Sequence, residues 1–201
     1  MRFLGFLIAG LLVLPVIAFS QGRVGTSIVD GKTVDLYSDF TWRYRSDQSA
    51  DAGCVRISSG LNFCGAAQGW KRIGAASNEI ASQFRLDDRN YAVFVVEQLG
   101  SEDGMTVRHM RSSIIQNFSV AADISPEDVI VHGSEDGDFG GETSTLLIYS
   151  GEWQGFHVIY ANTVVITANR TLQLITYSVA ETFTDRHRKM HSEFLSAIRL
   201  E

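Results

Sequence analysis

Residues 143–179 read TSTLLIYSGEWQGFHVIYANTVVITANRTLQLITYSV, and the reading of this run decides the fold. β-branched and aromatic side chains dominate it, a composition suited to a pleated, partly buried surface. Ser150-Gly151, Gln154-Gly155 and Asn169-Arg170 interrupt it with turn chemistry. The pattern predicts three or four consecutive antiparallel strands, the central ribbon of one sheet. No set of catalytic side chains comes with it, so the stretch speaks to architecture and not to activity.

Outward from the ribbon, the hydrophobic period changes twice. YAVFVVE at 91–97 reads as a strand buried on both faces around Val93 to Val96. Val107, Met110, Ile114, Ile115, Phe118 and Ala121 then recur at three- and four-residue spacing, which predicts an amphipathic helix over 105–122. Thr106 is its expected cap, with Arg108, Arg111 and Gln116 facing water. Ser125-Pro126-Glu127 makes a turn, a short strand begins over 129–132, and an acidic loop precedes the ribbon. After the ribbon, Phe183, His187, Met190, Phe194, Leu195 and Ile198 form the apolar stripe of a second helix over 183–200, started by Thr182 or Thr184. Upstream, residues 65–82 read as a loop with a short irregular strand around Trp70. This order gives an α+β class, a mainly antiparallel sheet covered by two amphipathic helices.

The N-terminal part carries compartment information. Arg2 is followed by the uncharged run FLGFLIAGLLVLPVIAFS, which matches a signal peptide over 1–20 cleaved after Ala18-Phe19-Ser20. An uncleaved anchor is the alternative, but the run falls short of the roughly 20 residues that span hydrocarbon, and Pro15 breaks it. The expected mature chain begins near Gln21 and is periplasmic or secreted, without stable membrane insertion. Asp30-Gly31 signals a β-hairpin. Residues 28–44 resemble the DGK-x-V-x-L-x-x-DGTW-x-Y hairpin of small exported bacterial proteins, with Phe40 where a second Gly is usual. The polar run over 46–53 is the linker candidate, which sets a hairpin-plus-linker region at 21–53 and an α+β domain at 54–201. Cys54 and Cys64 are the only cysteines. In an exported chain such a pair favours a disulfide, and two thiols alone make an incomplete metal site.

Residues 62–200 resemble the PsbP-like fold, an α/β/α sandwich shared by a photosystem accessory protein, a Ran-binding protein and many exported bacterial proteins. The matching features are Gly69-Trp70, YAVFVVE, VRHMRSSIIQNF, the ribbon and the closing FLSAIRL. No catalytic motif accompanies them. The resemblance implies a non-enzymatic accessory or binding role.

The chemistry-bearing residues each have a plainer alternative. His187 and His191 stand i, i+4 on the second helix, yet Arg188-Lys189-Met190 fills the place of a zincin insert and no third ligand is evident. Glu135, Asp136, Asp138 and Glu142 supply hard oxygen donors for calcium on a Gly-rich loop, without EF-hand spacing. A solvated acidic turn is the plainer explanation, since the ligand count falls short of calcium's roughly six to eight. The pentapeptide GSEDG at 100–104 and again at 133–137 reads as two such turns. No GxSxG elbow occurs, and the five histidines show no serine partner in sequence. Trp70, Trp153 and Tyr160 are candidates to line a binding groove, core packing being the usual fate of such side chains. A net charge of −6 disfavours nucleic acid. The expectation is an exported, non-enzymatic accessory or binding protein of the cell envelope, with no cofactor and an envelope protein as partner. A small-molecule or calcium-binding protein is the alternative.

Overall fold

The computed structural model describes residues 23–29, 32–44, 53–77 and 79–201. The expected signal peptide, the Asp30-Gly31 turn and residues 46–52 of the expected linker lie outside them. The chain divides into two compact units, Met1–Arg45 and Ser46–Glu201.

In the first unit, β1 (Arg23–Val29), β2 (Lys32–Tyr37) and β3 (Trp42–Tyr44) form an antiparallel meander. Phe40 takes a left-handed φ of 62°, the conformation Gly adopts at lower cost. Asp39 holds the turn by accepting both the Thr41 N–H at 3.0 Å and its hydroxyl at 2.6 Å.

The second unit begins with a hairpin of β4 (Val55–Ser58) and β5 (Leu61–Phe63), flanked by a Cys54–Cys64 disulfide. After β6 (Lys71–Ile73) come β7 (Ile80–Arg85), β8 (Asn90–Glu97) and the helix α1 (Val107–Ala122). Strands β9 (Ile130–Phe139), β10 (Glu142–Trp153), β11 (Phe156–Ile166) and β12 (Thr171–Val179) follow as a meander. The helix α2 (Asp185–Ser196) and β13 (Ile198–Leu200) close the chain. One seven-stranded antiparallel sheet runs β6-β7-β8-β12-β11-β10-β9, and β13-β5-β4 make a smaller one.

Alternation along the strands separates two cores. Leu172 and Leu174 of β12 face Phe63, Trp70, Phe84, Phe94 and Phe194, an aromatic cluster between the large sheet, α2 and the small sheet. On the opposite face Met110, Ile114 and Phe118 of α1 pack on Leu147, Tyr149 and Val164. Each fully buried side chain of this size contributes about 1.5–3 kcal/mol. The architecture is thus α+β with a helix on each face of a mainly antiparallel sheet. The Thr106 cap forms as its position suggests, its hydroxyl accepting the His109 N–H at 3.2 Å.

Several expectations need correction. Ser150-Gly151 is no turn but the buried end of β10, where a Cβ on Gly151 would meet Phe118 Cε1 at 2.6 Å. Gly here makes room for a helix residue. The acidic loop is a strand: residues 133–139 belong to β9, and the reversal falls on Gly140-Gly141, whose φ values are 66° and 85°. Of the two GSEDG copies, only 100–104 contains a 3-10 turn. The second helix ends at Ser196, not 200, because Ile198–Leu200 pairs with Leu61–Phe63 and buries Ile198. Val107 and Ala121, placed on the apolar stripe of α1 by spacing, are exposed.

Candidate functional site

Four tyrosines stand in register across four adjacent strands. Tyr149 of β10 pairs with Tyr160 of β11, Tyr160 with Tyr177 of β12, and Tyr177 with Tyr91 of β8. Register partners share a face, so the rings stack along the row, with centroids 4.9, 5.4 and 5.0 Å apart. These spacings follow the 4.7–4.9 Å separation of neighbouring strands. The rings lie on the α1 face. Their faces are occupied by one another, and the Tyr91 hydroxyl donates to the Asp88 carbonyl at 3.1 Å.

Helix α1 covers only part of the row, because it packs on β10 and β11. Phe118 lies edge-on to Tyr149 and Tyr160, with centroids at 5.6 and 5.2 Å. Beyond it the face of β12 and β8 is uncovered and floors a cleft of about 680 Å³. Val93, Val95 and Ile175 form the aliphatic floor, Ile114 and Ala121 one wall, and Ser77 and Ile80 the other. Trp153 stands at its aromatic end, about one-third exposed.

Polar side chains at the floor are linked in short hydrogen-bonded chains. Gln83 Nε2 donates to the Tyr177 hydroxyl at 3.0 Å, and Gln83 Oε1 accepts the Ala76 N–H at 3.2 Å. Asn162 Nδ2 donates to Gln173 Oε1 at 3.0 Å, and Gln173 Nε2 donates to Glu97 Oε1 at 3.3 Å. Burial, with the neighbouring ring second, pushes the Tyr149 phenol well above its ordinary pKa; the same causes raise Tyr160. Tyr177 is raised too, chiefly by burial. All three therefore stay neutral at physiological pH and keep a hydroxyl proton to donate.

Trp153 and Tyr160 are brought together in the cleft. Trp70 is not: it is buried in the aromatic cluster on the other face, 5.8 Å from the Phe194 ring. The four acidic residues form no single donor set. Glu135 accepts Arg188 Nη1 at 2.8 Å, Asp136 accepts the Thr145 hydroxyl at 2.9 Å, and Asp138 accepts the Gly141 N–H at 3.2 Å. Strand geometry sends successive side chains to opposite faces, which a loop would not. Among the described residues no group of three or more His, Cys, Asp or Glu side chains is placed to hold a metal.

The histidines have separate tasks. His191 is buried with Nε2 2.8 Å from the Thr163 hydroxyl and Nδ1 2.9 Å from that of Thr176. His187 accepts the Thr184 N–H at 3.0 Å, where α2 begins. They do not share a ligand. Contrary to expectation, one histidine does meet a serine: His132 Nε2 lies 2.8 Å from Ser150 Oγ. Ser150 is fully buried, and among the described residues no carboxylate hydrogen-bonds to the His132 ring. Only the β9–β10 register, invisible in the sequence, brings the two together.

No protein-family model and no curated protein matches the sequence. Among solved structures, the chain is similar to cyanobacterial PsbP (CyanoP) from Synechocystis sp. PCC 6803, with a TM-score of 0.52 and 17% identity, over 77% of this chain and 96% of that one. A protein of unknown function from Pseudomonas aeruginosa, PA94, matches with a TM-score of 0.41 and 10% identity over 87% and 96% of the two chains. A protein from Bacteroides thetaiotaomicron VPI-5482 matches with a TM-score of 0.46 and 9% identity over 73% and 47% of the two chains. The first likeness shows a PsbP-like fold and nothing about activity.

Proposed function

We propose that this chain is an exported, non-enzymatic binding protein of the cell envelope, and that its ligand site is the cleft beside α1. The supporting observation is the tyrosine row left uncovered where α1 stops, flooring a concavity of about 680 Å³. Small-molecule sites are concave, mostly apolar, carry a few fixed polar groups and span about 300–1,000 Å³. The cleft has those properties, with Gln83, Gln173 and the Tyr177 hydroxyl as its fixed polar groups. Export is supported by the N-terminal apolar run and by the Cys54–Cys64 disulfide, which belongs to oxidising compartments. A non-enzymatic role is supported by the burial of Ser150 and the engagement of both His191 nitrogens.

Titration with N-phenyl-1-naphthylamine, a neutral dye that fluoresces in apolar surroundings, tests the reading. The wild-type chain enhances its emission saturably, and Ile175→Trp, which fills the floor, abolishes the enhancement while the thermal midpoint holds. Equal enhancement by both proteins would place the ligand elsewhere.

A further inference from the structure

We infer that the cleft takes a cationic amphiphile, an ammonium group carried on an extended apolar body. This rests on the ligand-binding reading above and adds the charge and the orientation of the ligand.

The charge follows from the lining. Glu79 and Glu97 line the cleft, and among the described residues no Lys, Arg or His does. Neither carboxylate belongs to an ion pair among the described residues. Glu97 is half-buried and among the described residues receives only the amide of Gln173, which Asn162 in turn fixes. A carboxylate beside apolar walls loses hydration without gaining a counter-charge, and a bound cation supplies one. An anionic ligand would meet two like charges and, among the described residues, no base.

The orientation follows from the register. Ile80 pairs with Val95, which puts Glu79 and Glu97 at the same end of the cleft. Tyr177 pairs with Tyr91, six residues back along β8 from Glu97, or about 20 Å at 3.3 Å per residue. The carboxylates therefore mark one end and Tyr160, Tyr177 and Trp153 the other, with Val93, Val95 and Ile175 between. Phe118 shows how a ring docks on this floor, edge-on across Tyr149 and Tyr160. Tyr177, the next member of the row, has no ring placed across it in that way among the described residues. An apolar tail ending in a ring fits that position while its head reaches Glu79 and Glu97.

Three probes of one shape test this by calorimetry on the full chain: 8-phenyloctylammonium, 8-phenyloctanol and 8-phenyloctanoate, all below their aggregation concentrations. The ammonium probe binds at least ten-fold tighter than the carboxylate, with the alcohol between. Glu97→Gln, which keeps the Gln173 hydrogen bond, combined with Glu79→Gln, removes most of that preference without changing the thermal midpoint. Equal or tighter binding of the alcohol or the carboxylate overturns the inference and leaves the cleft as the ligand site. Binding by none of the three overturns both.

Discussion

The Nε2 of His191 lies 2.8 Å from the Thr163 hydroxyl, and its other ring nitrogen meets Thr176 at 2.9 Å. A neutral imidazole has one donor and one acceptor nitrogen, so it donates to one hydroxyl and accepts from the other. The contact pins α2 to β11 and β12 in an otherwise apolar core. Burial pulls the pKa of His191 down to about 4 from an ordinary value of 6.5. Between those values the unfolded chain takes up a proton that the folded chain refuses. Stability from this group is therefore complete above pH 6.5 and is lost as pH falls toward 4, by about 3 kcal/mol at roughly 1.4 kcal/mol per unit. Urea midpoints at pH 7 and pH 4.5 read the effect. His191→Leu removes this part of the pH dependence and lowers stability at pH 7 by about 1–3 kcal/mol, because two buried hydroxyls lose their partner.

Gly151 sets the height of α1 above the tyrosine row. A Cβ there would lie 2.6 Å from Phe118 Cε1 and 3.3 Å from Ile124 Cδ1. Gly151→Ala accordingly costs about 1–3 kcal/mol by overpacking, and displacement of the Phe118 ring weakens dye binding in the cleft. Thermal unfolding and the dye titration check the two halves of this expectation. An unchanged midpoint would mean that the helix sits further from the sheet.

The C-terminal residues close the second core as a strand. Ile198 is buried opposite Phe63, and the Cys64 N–H donates to the Ala197 carbonyl at 2.8 Å. Ile198→Ala removes buried methyl groups and lowers stability by about 2–4 kcal/mol. Denaturant titration measures the loss.

The Cys54–Cys64 disulfide closes a short loop around the β4–β5 hairpin. Replacing both cysteines by serine lowers stability by about 2–3 kcal/mol through release of the unfolded chain. Thermal melts with and without reductant show the same shift in the wild-type chain and none in the double variant.

Much of the fold is legible in the sequence, and its gaps have physical causes. YAVFVVE and the apolar spacing of α1 and α2 mark elements whose own period reports their state. GSEDG does not: at 100–104 it turns under an Asp103 carboxylate that accepts the Gly100 N–H, and at 133–137 it is held extended by pairing with β10. The same five residues obey their surroundings. The tyrosine row depends on register in a similar way. Tyr149 and Tyr160 are symmetric about Gln154-Gly155, so the turn read there places them opposite one another. Tyr160 and Tyr177 are symmetric about Ala168-Asn169, and Thr167 N–H donates to the Arg170 carbonyl at 2.9 Å around that pair. A turn at Asn169-Arg170, one residue later, shifts the pairing by two and breaks the row. The cleft adds a further dependence, since its extent is set by where α1 stops covering the sheet.

The most direct test of the central claim is an amide NMR titration of the purified chain with N-phenyl-1-naphthylamine. Binding in the cleft gives saturable shifts confined to residues around Val93, Val95, Ile114, Phe118, Trp153, Tyr160, Ile175 and Tyr177. Shifts centred instead on the polar hollow formed by Asp88, Arg89, Glu181 and Thr182, or no saturable shifts at all, would contradict it.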